Sequence, residues 1–296
     1  MRQVVHLIGI PVDLGQSQRG VDLGPGAIRY AGLTTRLEGL GYQVRDQGNL
    51  QVPVRDCLRP GDSACYLPTI RQVCEEAYLA GRRAVEEGHI PVFLGGDHSI
   101  SIGTVGGVTH HEPAGVIWID AHGDFNTAET SRTGNVHGMS LALLLGEGYP
   151  QLVDVGRPGP KLQPADVVMV GVRALDGPER KRLAESGMTI FTMRDIDERG
   201  MSVIAGEALE KLSHCKRLHV SLDVDALDPQ AAPGAGTLVP GGLTYREAHL
   251  LMEIIADAQR LCSLDIVEIN PILDDHNRTA RAAVDLAVSL FGKKIL

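Results

Sequence analysis

Short apolar runs rich in Val, Ile and Leu alternate with longer amphipathic segments along the whole chain. Eight runs read as strands: 4–10, 42–46, 90–95, 115–120, 166–171, 188–193, 217–223 and 264–270. Runs of this kind suit strands covered on both faces. Between them, 25–39, 66–88, 99–108, 138–146, 178–187, 200–213, 244–258 and 277–291 carry helical spacing. The punctuation agrees, since Pro25 stands at a first helical turn and Thr244 with Glu247 forms a capping-box pattern ahead of an apolar helix face. Strands that alternate with helices imply βαβ units. The expected fold is therefore a three-layer α/β/α arrangement around a mainly parallel sheet of about eight strands. No linker, repeat or low-complexity tract interrupts residues 1–296, so one domain is expected. Segments 47–65 and 121–137 are expected as long loops.

Composition narrows the class. Of 296 residues 43% are hydrophobic but only 4% aromatic, so the core must be mostly aliphatic. A net charge of −9 argues against nucleic acid or an anionic membrane as partner, because both call for a basic face. Five cysteines without a CxxC pair fit a reducing cytoplasm better than a disulfide framework. The opening MRQVVHLIGIPVDLG reads as a first strand rather than a signal peptide, and no apolar run approaches the roughly 20 residues of a membrane span. No GxGxxG or GxxxxGK[ST] follows a strand, which removes the usual nucleotide-binding signatures.

The chemistry concentrates at three strand ends: GGDHS (95–99), DAHGD (120–124) and SLDVD (221–225). If the extended geometry persists, Asp120, His122 and Asp124 share one side, as do Asp223 and Asp225, and His98 adds a sixth donor. DAHGD alone is compatible with a polar loop and a helix cap. All three clusters together put four carboxylates and two imidazoles at one sheet edge, too much negative charge to bury without cations. One zinc needs only about four donors and favours nitrogen or sulfur, whereas six oxygen-rich donors suit two ions that share carboxylates. Such a pair lowers the pKa of water from about 15.7 toward about 7, which points to metal-assisted hydrolysis.

The clusters GGDHS, DAHGDFNT, SLDVDALDP and VEINP, in this order, resemble the ureohydrolase family of arginases, agmatinases and their relatives. The opening GIPVDLGQSQRGVDLGPGAIR, the loop DFNTAETSRTGNVHG and the segment GGLTYRE resemble its bacterial arginase branch. The resemblance implies manganese-dependent hydrolysis of L-arginine to L-ornithine and urea by a metal-bridging hydroxide. It implies two Mn2+ ions per subunit, one on His98 and Asp124 and the other on His122 and Asp225, with Asp120 and Asp223 bridging. It assigns the proton-shuttling histidine to His137 and the guanidinium-orienting glutamate to Glu268, puts Asn126, Ser131 and Thr133 near the substrate carboxylate, and counts Asn135 among the substrate-binding residues. Asp176 is assigned to the α-amino group, with Glu179 behind it through water, and the subunits are expected to form a homotrimer or homohexamer. Without the resemblance, His137 is an ordinary loop histidine, Glu268 a strand-end carboxylate and Asp176 a helix cap. Two departures from the pattern are mild: Thr133 stands where serine is usual and Ala226 where glycine is common.

Three other readings compete. Another ureohydrolase, such as an agmatinase or guanidinobutyrase, would use the same metals on a different guanidine. A two-metal phosphoesterase needs clustered Asp and His too, but no run of Arg or Lys is aimed at phosphate. A non-enzymatic metal-binding or scaffold protein would keep the ligands and lack hydrolysis.

Overall fold

Apolar runs with no polar face can only be satisfied between two layers of helices, and the computed structural model, which describes residues 3–61 and 63–294, arranges them so. The strands are β1 (Val4–Ile10), β2 (Gln43–Asn49), β3 (Ile90–Gly95), β4 (Gly115–Ile119), β5 (Val167–Val172), β6 (Thr189–Thr192), β7 (Leu218–Asp223) and β8 (Leu261–Val267). They form one eight-stranded sheet in the order β2-β1-β3-β8-β7-β4-β5-β6, with every adjacent pair parallel. The last two strands in sequence enter the middle of the sheet. The winding direction therefore changes among β3, β8, β7 and β4, where parallel sheets open a crevice beyond their carboxyl ends.

One face packs on α1 (Gly24–Tyr30), α2 (Leu33–Gly39), α8 (Met193–Arg199), α9 (Met201–Lys211), α10 (Tyr245–Asp257) and α11 (Arg278–Leu290). The other meets α3 (Leu67–Glu86), α4 (Ser101–Val108), α5 (Ser140–Leu144), α6 (Pro150–Val153) and α7 (Gly177–Glu185). Alternate residues of a strand serve different layers: Ile117 and Ile119 of β4 join the first core, Val116 and Trp118 the second. Among the described residues no helix is long and apolar enough to cross a membrane.

The boundaries depart from expectation for identifiable reasons. Segment 25–39 is two helices, broken where Gly32 takes φ 85°. β2 runs three residues past its expected end through the polar stretch Gln47–Asn49, because an exposed edge strand is held by its ladder to β1 rather than by an apolar face. β6 stops at Thr192, whose hydroxyl accepts the Asp195 amide while Asp195 caps Thr192 in return, starting α8, a helix absent from the expected pattern. β8 lies three residues earlier than expected. It begins at Leu261 and ends before Glu268, which turns the chain with φ 65°. The Thr244–Glu247 capping box forms as expected.

Close backbone approach fixes two glycines. A Cβ on Gly96 would meet the Val12 carbonyl oxygen at 1.8 Å, and one on Gly103 would meet that of Cys74 at 2.2 Å, where α4 crosses α3. Neither obstacle is a flexible side-chain end. Gly103→Ala is expected to destabilise the protein by about 3 kcal/mol or more, read from the denaturant midpoint. An unchanged midpoint would show that the two helices do not touch at backbone distance.

Candidate metal centre

Each of the three clusters uses the same local device to leave its strand. Asp97 Oδ1 accepts the Ser99 amide at 3.0 Å, Asp120 Oδ1 accepts the His122 amide at 2.7 Å, and Asp223 Oδ1 accepts the Asp225 amide at 2.8 Å. An aspartate bonded to the amide two residues on is an Asx turn. Side chains thus converge, but not by strand alternation as the spacing suggested: β4 ends at Ile119, and Asp124 reaches the centre from left-handed backbone at φ 46°.

All six expected donors meet at the carboxyl ends of β3, β7 and β4. Asp120, Asp124, Asp223, Asp225 and His98 are at most 6% exposed. His98 Nδ1 lies 3.0 Å from Asp124 Oδ2, 3.2 Å from Asp120 Oδ2 and 3.3 Å from Asp223 Oδ2. His122 Nδ1 lies 3.0 Å from Asp225 Oδ2 and 3.5 Å from Asp120 Oδ1. Two compact triads result, His98–Asp120–Asp124 and Asp120–His122–Asp225, with Asp120 in both and one of its oxygens facing each imidazole.

The electrostatics fit cations. Burial opposes charge on His122, yet Asp225 and Asp120 outweigh it and push its pKa up to about 12. Burial and the Asp120 charge raise Asp124 to about 6. Although buried, Asp120 is held below the usual carboxylate range by His122 and His98. His98 Nδ1 is a buried donor atom with no hydrogen-bond partner, aimed at three carboxylate oxygens. That donor set, imidazole nitrogen among carboxylate oxygens, fits a divalent ion of intermediate hardness.

Supporting residues hold the donors from behind. His98 Nε2 is 2.8 Å from Ser221 Oγ, its ring stacks on the Trp118 indole at 4.1 Å, and Trp118 Nε1 donates to Asp120 Oδ2 at 3.0 Å. Thr237 Oγ1 donates to Asp225 Oδ2 at 2.8 Å. The Arg173 guanidinium donates to the carbonyls of Asp225, Ala226 and Val239, fastening the β7 loop to the next one. Sequence reasoning missed these residues, although two carried a signal: Trp118 precedes Asp120 by two, and Ser221 precedes Asp223 by two, so each shares a strand face with the ligand.

Beside the donors, Glu268 Oε1 accepts from the His98 amide at 2.8 Å and lies 2.9 Å from His137 Nδ1, while its Oε2 accepts from Gln16 Nε2 at 2.7 Å. Gln16 had no role in the sequence reading. A 410 Å3 cleft opens over the centre, lined by His122, His137, Asn126, Asp176 and Glu179 among others. Asp176 is also the helix cap its sequence context suggested: Oδ1 accepts the Glu179 amide, and Oδ2 receives Asn126 Nδ2 at 3.3 Å. Ser131, Thr133 and Asn135 do not line this cleft; they shape the loop beside it, Ser131 Oγ accepting the Gly134 amide and Thr133 Oγ1 that of Asn135. A larger 660 Å3 concavity between the Asp228–Tyr245 region and α11 holds none of the metal-competent triads found among the described residues.

Comparison with known proteins places this geometry in a family. A family model described as the Arginase family matches residues 3–292. The arginase of Bacillus caldovelox is 49% identical over 99% of both chains, and that of Bacillus subtilis 48% identical over the full length of both. The native crystal structure of the Bacillus caldovelox arginase superposes with a TM-score of 0.96 at 48% identity, covering 100% of each chain. With a family model that matches residues 3–292, relatives near 49% identity over nearly all of both chains and a superposable fold, the chain belongs to the arginase family.

Proposed function

We propose that this protein is a manganese-dependent arginase that hydrolyses L-arginine to L-ornithine and urea. The observation that carries the reading is Asp120, whose two oxygens face two different imidazoles within two buried triads, an arrangement suited to a carboxylate shared by two cations. His98, Asp124 and His122, Asp225 would each hold one ion, with Asp120 and Asp223 common to both; oxygen-rich donors with one imidazole apiece favour manganese over zinc. When bound, such a pair supplies a nucleophile at neutral pH by acidifying water.

The chain's own residues do the rest. Despite burial, His137 keeps Glu268 below the usual carboxylate range, so Glu268 stays anionic and can orient the always-charged guanidinium. The amine that leaves as ornithine must gain a proton. Burial works against the His137 imidazolium, but Glu268 outweighs it and holds its pKa at about 9, so His137 carries a proton at neutral pH. Since Nδ1 is engaged by Glu268, Nε2 is the nitrogen left to deliver it. On the opposite wall Asp176 suits the α-amino group and Asn126 the carboxylate, with Ser131, Thr133 and Asn135 in the adjoining loop. The reading extends to one catalytic domain over 1–296, a homotrimer or homohexamer, and a cytoplasm that keeps the five cysteines reduced.

Urea release tests the function. Chelated protein reconstituted with manganese, zinc or magnesium is assayed on arginine and agmatine side by side; manganese with arginine is expected to be fastest, and His137→Asn to lower kcat by about 10²–10⁴-fold. Faster turnover of agmatine would move the protein to a sister ureohydrolase activity.

Glu179, buried behind Asp176, generates a stability prediction. Burial, aided by the charges of Asp124 and Asp176, pushes its pKa from 4.5 to about 7 against the Phe125 amide it accepts. A pKa raised by folding stabilises the protein below the unfolded value, and that contribution is lost as pH climbs from 4.5 through about 7. Glu179→Gln stays neutral and still accepts from Phe125. In chelated protein it should gain on the wild type by on the order of 2 kcal/mol between pH 5 and pH 8 in urea unfolding; a difference flat across that range would refute the assigned burial effect.

A further inference from the structure

A second group of metal-competent side chains lies at the opposite, amino-terminal edge of the sheet. His6 stands in β1 paired with Pro91 of β3, and the turn from α3 into β3 sets Glu87 and His89 beside it. One donor atom from each of the three lies within 4.8 Å of the others. The imidazole rings are 4.3 Å apart and inclined by 48°, and Glu87 Oε2 is 3.2 Å from His89 Nδ1.

This cluster is not a satisfied packing contact. His6 is only 8% exposed and its Nε2 is buried without a hydrogen-bond partner, as is His89 Nδ1 apart from its 3.2 Å ion pair with Glu87. Buried polar atoms are nearly always paired, so two such nitrogens in one place call for an occupant. Burial and the neighbouring His89 hold His6 below the ordinary imidazole pKa, which keeps it neutral with the lone pair a metal needs. Helix α3 is 20 residues long and ends at Glu86, so its last carbonyls present negative potential here. Arg45 opposes a cation, but it is exposed and free to turn toward water.

We infer that His6, Glu87 and His89 form a second, mononuclear divalent-metal site of zinc type, distinct from the carboxylate-rich centre, with water completing the coordination. Two imidazoles and one carboxylate are a zinc donor set, whereas the centre at the other edge is rich in oxygen. The bound ion ties the end of α3 to β1. None of its three ligands lines the cleft, which opens at the other ends of the strands, so its loss leaves hydrolysis intact.

The test counts metal in the manganese-loaded protein. Wild type, His89→Gln and Glu87→Gln are saturated with manganese, equilibrated with zinc, freed of unbound ion and analysed for metals per subunit. The wild type retains about one metal more per subunit than His89→Gln, and Glu87→Gln holds it about 10-fold more weakly. Zinc raises the melting temperature of the wild type but not of His89→Gln, and all three turn over substrate alike. Equal metal content and equal zinc-dependent melting in wild type and His89→Gln would overturn the site. Glu87 is exposed, so Glu87→Gln reports on metal rather than on folding; His89 packs on His6 of β1, so the melting temperature of His89→Gln without zinc serves as its folding control.

Discussion

Four carboxylates packed around two imidazoles, almost entirely out of water, cannot all remain anionic unless positive charge sits among them. This constraint organises the carboxyl-terminal edge of the sheet. The upward pull on His122 and on Asp124 shows a field that gathers protons, and a divalent cation competes for the same atoms. Order in the loops after β4 and β7 is therefore tied to what occupies the centre. Trp118, Ser221 and Thr237 then fix the direction in which each donor points.

The sheet makes room for this charge by giving up part of its apolar packing. On β7, Leu218, Val220 and Leu222 face one core, while His219 and Ser221 face the other side; on β8, Leu264 and Ile266 do the same against Ser263 and Asp265. Both faces are buried, so the polar side must satisfy itself. His219 Nδ1 lies 2.8 Å from Ser263 Oγ, and Asp265 Oδ2 accepts from Ser101 and Thr104 of α4 at 2.7 Å each. A polar layer thus runs beneath the candidate metal centre, only partly paired, since His219 Nε2 and Asp265 Oδ1 are buried without a hydrogen-bond partner.

The cleft side is built differently. Glu268 is held by the His98 amide, Gln16 and His137, and so joins His137 of the cleft wall to the candidate metal donor His98. Asn126 and Asp176 stand on segments that follow β4 and β5, joined by the hydrogen bond from Asn126 Nδ2 to Asp176 Oδ2. The His6 cluster shares no element end with either group, since it lies where β1 and β3 begin rather than where they finish.

By itself the sequence determined the layer architecture and the helices with strong caps, and it singled out six candidate donors, because residue type and 3.6- and 2-residue periodicity act over a few neighbours. It placed β1 and β3 at their observed bounds, but not β2, whose polar residues are strand only through the ladder to β1, nor the end of β8, which Glu268 sets with a left-handed turn. Only the tertiary structure decided that β8 and β7 lie between β3 and β4, and hence that His98 meets Asp223 across 125 positions of chain. The same holds for Gln16, Arg173 and the pairing of His6 with His89. Each is an ordinary residue in its local context and acquires its partner from a distant segment, so no local pattern could reveal it.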